Sequence, residues 1–350
     1  MSTPIARFAV LLVLDGWGVA NPGPGNAITL SNPTNFNRLW ASYPHTTLSA
    51  SGEGVGLPHG EPGNTETGHL NLGAGRIVYQ DLPRINLAIA DGNFFKNEAF
   101  LAAIEHAKKN NSKLHLMGLV GAGGVHSSPD HLYALIRFAR EQNFSRLFIH
   151  VFTDGRDSPP DASPSYIKKL EEVIAKESTG KIATIMGRYF AMDRDYRWER
   201  TQEAYLALTK GEGQKASSAL AAIENSHRNG KTDEFIEPTV ITGQDLKPIA
   251  IVEKNDAVIF FNFRIDRPRQ LAKAFVLDDF ESEAQKGWDF DPYMVKYYKK
   301  HVIDIPTRPV FKRGPKIPNV YFVTMTQYTK TINAHVAFPP QIIGLPLSRI

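Results

Sequence analysis

The stretch Gly63-Asn64-Thr65-Glu66-Thr67-Gly68-His69 sets one hydroxyl, Thr65, among glycines and a small amide just before apolar Leu70. Glycine lets backbone approach a ligand closely and adopts conformations that other residues resist. A hydroxyl presented in this way acts as a nucleophile once a base or a metal activates it. The plainer role is that Thr65 N-caps a following helix, its oxygen accepting a backbone N–H. The two roles are compatible, and seven residues do not choose between them. A second chemically capable set is dominated by arginine. Gly124-Val125-His126-Ser127, Asp154-Gly155-Arg156-Asp157, Gly187-Arg188-Tyr189 with Met192-Asp193-Arg194-Asp195, and Asn262-Phe263-Arg264-Ile265-Asp266-Arg267 carry one histidine and five arginines. Any one of these arginines alone is more often a surface ion-pair partner. Five converging without as many free carboxylates would repel one another, so the set implies an anion that neutralises it. The planar guanidinium fork suits phosphate and carboxylate. The expected pocket therefore takes a small, doubly anionic molecule such as a phosphorylated acid. No Gly-x-x-x-x-Gly-Lys-Ser/Thr loop and no dinucleotide fingerprint follows a strand, so nucleotides are not favoured.

The elements that must position these residues read as an alternation. Helical periods over 98–108, 130–142, 163–177 and 198–210 alternate with apolar runs at 113–120, 146–152, 182–186 and 257–261. That βαβ texture predicts a largely parallel sheet. Each motif of the arginine set follows one of those runs, which places it at the carboxyl end of a strand, where open α/β sheets bind ligands. Phe8 to Leu14 is a further continuous apolar run, predicted to be a strand buried on both faces. Asp15-Gly16-Trp17-Gly18 follows it directly, so Asp15 sits where a metal-binding or catalytic carboxylate would; a turn aspartate is the alternative. Residues 20–62 are rich in Pro, Gly, Asn and Ser and predict loop with a short helix over 33–43. The charge-dense, aromatic-rich stretch 278–316 has no clean period, its end resembles a linker, and 319–324 reads as one more strand.

Composition narrows the class. Hydrophobic residues make up 42% and charged residues 22% of 350, the profile of a soluble globular protein with room for two domains. A net charge of +4 is slight for this length and includes no basic tail, so no nucleic-acid partner is expected. Cysteine is absent, which leaves oxygen and histidine as metal ligands. The run at 8–14 is too short to span a membrane and lacks a small-residue cleavage site, so a cytoplasmic location is expected and no membrane partner.

Taken in order, Asp15-Gly16-Trp17-Gly18, the stretch 63–69, Leu72-Gly73-Ala74-Gly75-Arg76-Ile77 and the four arginine-bearing motifs resemble the cofactor-independent phosphoglycerate mutase family of the alkaline-phosphatase-like superfamily. The resemblance runs from about residue 8 to about residue 339. It implies interconversion of 2-phosphoglycerate and 3-phosphoglycerate, in glycolysis and gluconeogenesis, through a phosphorylated hydroxyl residue and two manganese ions. It also implies an α/β, two-domain fold, in which an alkaline-phosphatase-like domain is interrupted by an inserted transferase domain. The corresponding segments are 1–79, then 80–316 for the insertion, then 317–350 for the start of the returning domain. Carried over by position, Thr65 is the nucleophile and Asp15, with Thr65, a metal ligand. His126, Arg156, Asp157, Arg188, Arg194, Arg264 and Arg267 bind the phosphoglycerate. Members of this family are usually monomeric. Three departures stand out. Thr65 replaces the usual serine, and its β-branch restricts χ1. Ala122 stands where the family's loop carries a carboxylate. The chain also stops at Ile350, before the segments that supply the family's remaining metal ligands; its phosphatase-like domain is expected to be incomplete, with a separately encoded second half as one possibility. A non-catalytic phosphoglycerate-binding protein and a metal-dependent phosphatase on the same scaffold are the alternative readings.

Overall fold

Unbroken apolar runs between amphipathic helices can bury themselves only inside a sheet covered on both faces, and the computed structural model shows that arrangement. It describes residues 8–284 and 308–349; most of the aromatic-rich stretch 278–316 and the terminal Ile350 lie outside the described residues. The strands are β1 (Leu114–Val120), β2 (Leu147–Thr153), β3 (Lys181–Gly187), β4 (Gln214–Ala216), β5 (Thr239–Ile241), β6 (Ala257–Phe260), β7 (Tyr321–Thr326) and β8 (His335–Phe338). They form one sheet in the order β4-β5-β3-β2-β1-β6-β7-β8, parallel throughout except where β5 runs against β3. Every residue of β1 is buried, as the continuous run requires of a central parallel strand.

The intervening helices begin where local chemistry allows. Ser128 caps Pro129–Glu141 by accepting from the Asp130 N–H, and Pro129 occupies the first turn, where no backbone donor is needed. Its buried face carries Leu132, Leu135, Ile136, Phe138 and Ala139 at helical spacing. The helices Ser163–Glu177 and Trp198–Lys210 coincide with their predicted spans.

The chain divides into two compact units. The larger, residues 81–342, holds all eight strands. Within it β7 pairs in parallel with β6 and β8 with β7. The apolar stretch Tyr321–Thr326 is buried as a further strand of the same sheet.

The smaller unit comprises the residues up to Gln80 together with those from Ile343. Its elements are short: helices Ala27–Leu30, Thr34–Ser42 and Thr65–Ala74, and 3-10 turns over Gly52–Val55 and Leu347–Arg349. Leu57, Val78 and Thr67 are its buried anchors. The predicted strand over 8–14 does not form. The segment makes no ladder with any described residue, and Phe8 (81%), Val10 (78%) and Leu12 (76%) are largely exposed. A parallel strand needs neighbours on its edges and cover on its faces, and the described residues of this unit supply neither.

Candidate functional site

The sequence places chemistry after β1, β2, β3 and β6, and the sheet makes those four strands neighbours in the order β3-β2-β1-β6. Their carboxyl ends therefore share one edge. The loop after β1 is fixed where Ser127 Oγ donates to the Leu119 carbonyl at 2.6 Å. The Phe263 and Arg264 N–H groups donate to the His126 carbonyl at 2.9 and 3.2 Å, joining this loop to the one after β6. Asn262 Oδ1 accepts from the Leu119 N–H at 2.9 Å, and Tyr328 Oη donates to the Asn262 carbonyl at 2.7 Å. The loops are thus held by buried hydrogen bonds before any ligand arrives.

Arg188 opens a short helix, Arg188–Ala191, directly after β3 and is only 2% exposed. Its Nη1 donates to Asp154 Oδ1 and Asp157 Oδ2, each at 2.6 Å. His126, 4% exposed, lies between two carboxylates, with Nε2 3.6 Å from Asp157 Oδ2 and Nδ1 3.8 Å from Asp266 Oδ1. Neither distance is a hydrogen bond, and Nδ1 has no partner. Asp266 is shared by Arg194 Nη1 at 2.6 Å and Arg264 Nε at 3.1 Å. Arg156 Nη1 stands 3.5 Å from Glu234 Oε1. Arg267 differs from the rest. Among the described residues it makes no ion pair; its Nη1 donates to the Met192 carbonyl at 3.1 Å, and its Nε, like that of Arg188, is buried without a partner.

The electrostatics follow from those positions. Burial pushes the His126 pKa down to about 4, helped by Arg188 and, more weakly, Arg264 and Arg267, against the pull of Asp266. Burial and then the charges of Arg194 and Arg188 push Arg267 down to about 10, with Asp266 opposing. Burial would raise Asp157 and Asp266, yet the neighbouring cations, Arg188 for one and Arg264 for the other, hold both below the usual carboxylate range. Both are therefore anions at neutral pH.

His126, Arg156, Asp157, Arg188, Arg194, Arg264 and Arg267 thus occupy one edge of one sheet. The expectation that the arginines lack carboxylates needs correction. Asp154, Asp157, Asp266 and Glu234 partner four of the five. Arg267 alone retains the uncompensated charge argued from the sequence. The motifs contained those aspartates, but only the loop geometry shows which guanidinium each one meets. Ala122, at the departure from the family's loop, is exposed.

Thr65 and Asp15 belong to the smaller unit. Asn64, not Thr65, caps the helix Thr65–Ala74, its side chain accepting from the Thr67 N–H at 2.9 Å. Thr65 is thereby released from the capping role, and its Oγ1 donates instead to Asp15 Oδ2. Gly63 is needed for packing, since a Cβ there would fall 1.7 Å from the Ala50 carbonyl oxygen. Asp15 and Thr65 offer two oxygen donors, whereas a divalent cation of the manganese kind wants about six. Among the described residues no group of three or more His, Asp or Glu could hold a metal. The residues present do not fit a metal site by themselves.

Two histidines that look scattered in the sequence meet inside the larger unit. His115 Nε2 lies 3.1 Å from Asp256 Oδ2, His115 Nδ1 2.8 Å from His150 Nε2, and His150 Nδ1 2.9 Å from Thr184 Oγ1. Both rings are fully buried, and burial pushes both below the ordinary 6.5. A carboxylate can only accept, so His115 carries its proton on Nε2, His150 donates from Nε2, and Thr184 donates to His150 Nδ1.

Comparison with known proteins places this geometry. A family model described as the BPG-independent PGAM N-terminus matches residues 85–330. A 2,3-bisphosphoglycerate-independent phosphoglycerate mutase of Chloroflexus aggregans is 50% identical over 345 residues, which are 98% of this chain and 62% of that protein. One from Moorella thermoacetica is 49% identical over 350 residues, 100% of this chain and 63% of the relative. The crystal structure of a Leishmania mexicana phosphoglycerate mutase, determined at low cobalt concentration, superimposes with a TM-score of 0.66 at 28% identity, over 89% of this chain and 54% of that one. The chain thus spans a little under two thirds of the length of the curated relatives it matches. No helix among the described residues is long and apolar enough to cross a membrane.

Proposed function

This chain belongs to the BPG-independent phosphoglycerate mutase family, and from that membership we propose that it serves the interconversion of 2-phosphoglycerate and 3-phosphoglycerate, an isomerase reaction of glycolysis. The strand-end edge of the larger unit binds the phosphoglycerate. Its carboxylate and phosphate are drawn to Arg156, Arg194, Arg264 and Arg267, while His126, Asp157 and Arg188 orient the glycerate. Thr65 is the phosphoryl carrier. Its Oγ1 forms a bond to phosphorus as the bond from phosphorus to one glycerate oxygen breaks, and the group returns to the other oxygen in the reverse sense. The hydrogen bond from Thr65 to Asp15 gives the hydroxyl proton a carboxylate to move to. Manganese is the metal that the family resemblance implies; with only two oxygen donors at Asp15 and Thr65, the roles assigned to this chain's own residues are binding, orientation, phosphoryl carriage by Thr65 and proton acceptance by Asp15. A cytoplasmic location accords with this role.

One observation carries the binding assignment. Arg267 has a partnerless buried Nε and three neighbouring arginines whose charges act on it, Arg194, Arg188 and Arg156. Such a cation calls for an external anion. Titration of the chelator-treated chain with 3-phosphoglycerate, followed calorimetrically, should show one site, and Arg267→Met should weaken it at least about tenfold, the equivalent of 1.4 kcal/mol. No saturable binding by the unaltered chain, or unchanged binding by the variant, refutes the assignment. The two-donor geometry at Thr65 also favours a narrower reading, in which the chain binds phosphoglycerate without turning it over. An enolase-coupled assay with manganese separates the two.

A further inference from the structure

Asp154 is 1% exposed and both of its oxygens are taken by donors of the protein itself, and through them it organises much of the anion site. Oδ1 accepts from Arg188 Nη1 at 2.6 Å and from the N–H groups of Arg156 and Asp157 at 3.3 and 3.1 Å. Oδ2 accepts from Ser158 Oγ at 2.8 Å. One carboxylate therefore ties the end of β3, which carries Arg188, to the loop after β2, which carries Arg156 and Asp157. Asp157 takes the same Nη1 of Arg188, so two carboxylates grip one nitrogen and fix the guanidinium plane. The Nη2 atom makes no hydrogen bond to any described residue, and this grip sets where it points. A guanidinium this buried would otherwise have its charge to satisfy and several rotamers to choose from.

We propose that Asp154 is a positioning residue for phosphoglycerate binding, acting through Arg188 while touching no part of the ligand. This rests on the anion-site reading above. Asp154→Asn is the informative change. The amide oxygen still accepts the two backbone N–H groups, and the loop keeps its shape, but the buried one of the two charges that hold Arg188 is gone, leaving Asp157 alone.

The test is a double-mutant cycle on the full chain, with 3-phosphoglycerate affinity followed by NMR titration, which reads affinities into the weak range. Asp154→Asn should weaken binding about tenfold or more in the otherwise unaltered chain. In an Arg188→Gln background the same change should weaken it less than about twofold, because no guanidinium remains to be positioned. Equal losses in both backgrounds would mark Asp154 as a structural brace and overturn the proposal, as would undiminished binding by Asp154→Asn. If circular dichroism shows that Asp154→Asn does not fold, Asp154→Glu replaces it. That variant keeps the charge but displaces it by one methylene. It should show the same background-dependent loss, and full affinity in Asp154→Glu overturns the proposal. Absence of binding by the unaltered chain is a separate outcome, which removes the phosphoglycerate reading and this inference with it.

Discussion

Phosphoglycerate binding should load a proton onto His126. In the free chain burial and Arg188 hold its pKa near 4, so the ring is neutral at pH 7. The groups that face it are Asp157 from the loop after β2, Arg188 from the end of β3, and Arg264, Asp266 and Arg267 from the loop after β6; Arg194 stands behind Asp266. A bound anion adds negative charge to this set and engages the arginines that now hold Asp266. One unit charge about 5 Å away at an effective dielectric of about 20 contributes roughly 3 kcal/mol, or about 2.4 pKa units. The bound-state pKa therefore rises toward the ordinary histidine range. Binding should strengthen severalfold as pH falls from 8 to 5.5, from this residue alone. The free chain responds in the opposite direction. Its depressed histidine costs stability as pH falls from 6.5 toward 4, because the unfolded chain binds the proton more readily. The phosphate group also titrates near pH 6, which affects every variant alike. The measurement is therefore the ratio of affinities of the unaltered chain and His126→Gln between pH 5.5 and 8, with calorimetry in buffers of different ionisation enthalpy to count protons. A ratio that stays flat, or equal proton uptake by both proteins, refutes the reasoning.

Other outcomes follow from single contacts. His150→Leu leaves His115 Nδ1 and Thr184 Oγ1 buried without their partner, and chemical denaturation should show a loss of about 2–4 kcal/mol. Gly187→Ala puts a Cβ 2.1 Å from the Glu234 carbonyl oxygen, so the loop carrying Glu234 must shift. Both the melting temperature and 3-phosphoglycerate affinity should fall, and unchanged affinity would show that Arg156 and Arg188 tolerate the displacement. Arg194→Gln should weaken binding less than Arg267→Met, because Arg194 is 41% exposed and already paired with Asp266. The Arg194 contribution should also be the one more strongly reduced in titrations at high salt.

The parts of this fold legible in the sequence are those whose pattern is local and repeated. Ser163–Glu177 and Trp198–Lys210 present apolar residues at helical spacing over three turns or more, and their spans could be read directly. The central strands could be read because both faces are buried, so every residue carries the signal. Three-residue strands such as Gln214–Ala216 and Thr239–Ile241 are too short for a period to register. The run 8–14 shows the reverse problem, an apolar signature without the neighbours that make a strand. At the candidate site the residue types were legible and the pairing was not. Asp154 and Asp157 are three apart in sequence, yet whether both face Arg188 depends on a loop conformation that no period encodes. Asn64 and Thr65 are both good caps, and the choice between them is made by one backbone turn.

Parallel ladders of aliphatic strands have a weakness that the buried histidines correct. Their hydrogen bonds are evenly spaced, so the backbone alone scarcely distinguishes one alignment from the next. A slip of one residue between β1 and β2 would exchange His150 for Ile149 or Val151 at no great cost in apolar cover. The line from Asp256 through His115 and His150 to Thr184 removes that degeneracy. It runs from the residue preceding β6 across β1 and β2 to β3, and each proton on it has one acceptor. In any shifted alignment several of those atoms would be stranded in the interior, each costing about 1–3 kcal/mol. The line thus acts as an alignment key for four neighbouring strands. Those strands carry the loops of the proposed anion site at their far ends, so a misalignment would be transmitted at about 3.3 Å per residue to His126, Asp157 and Arg188.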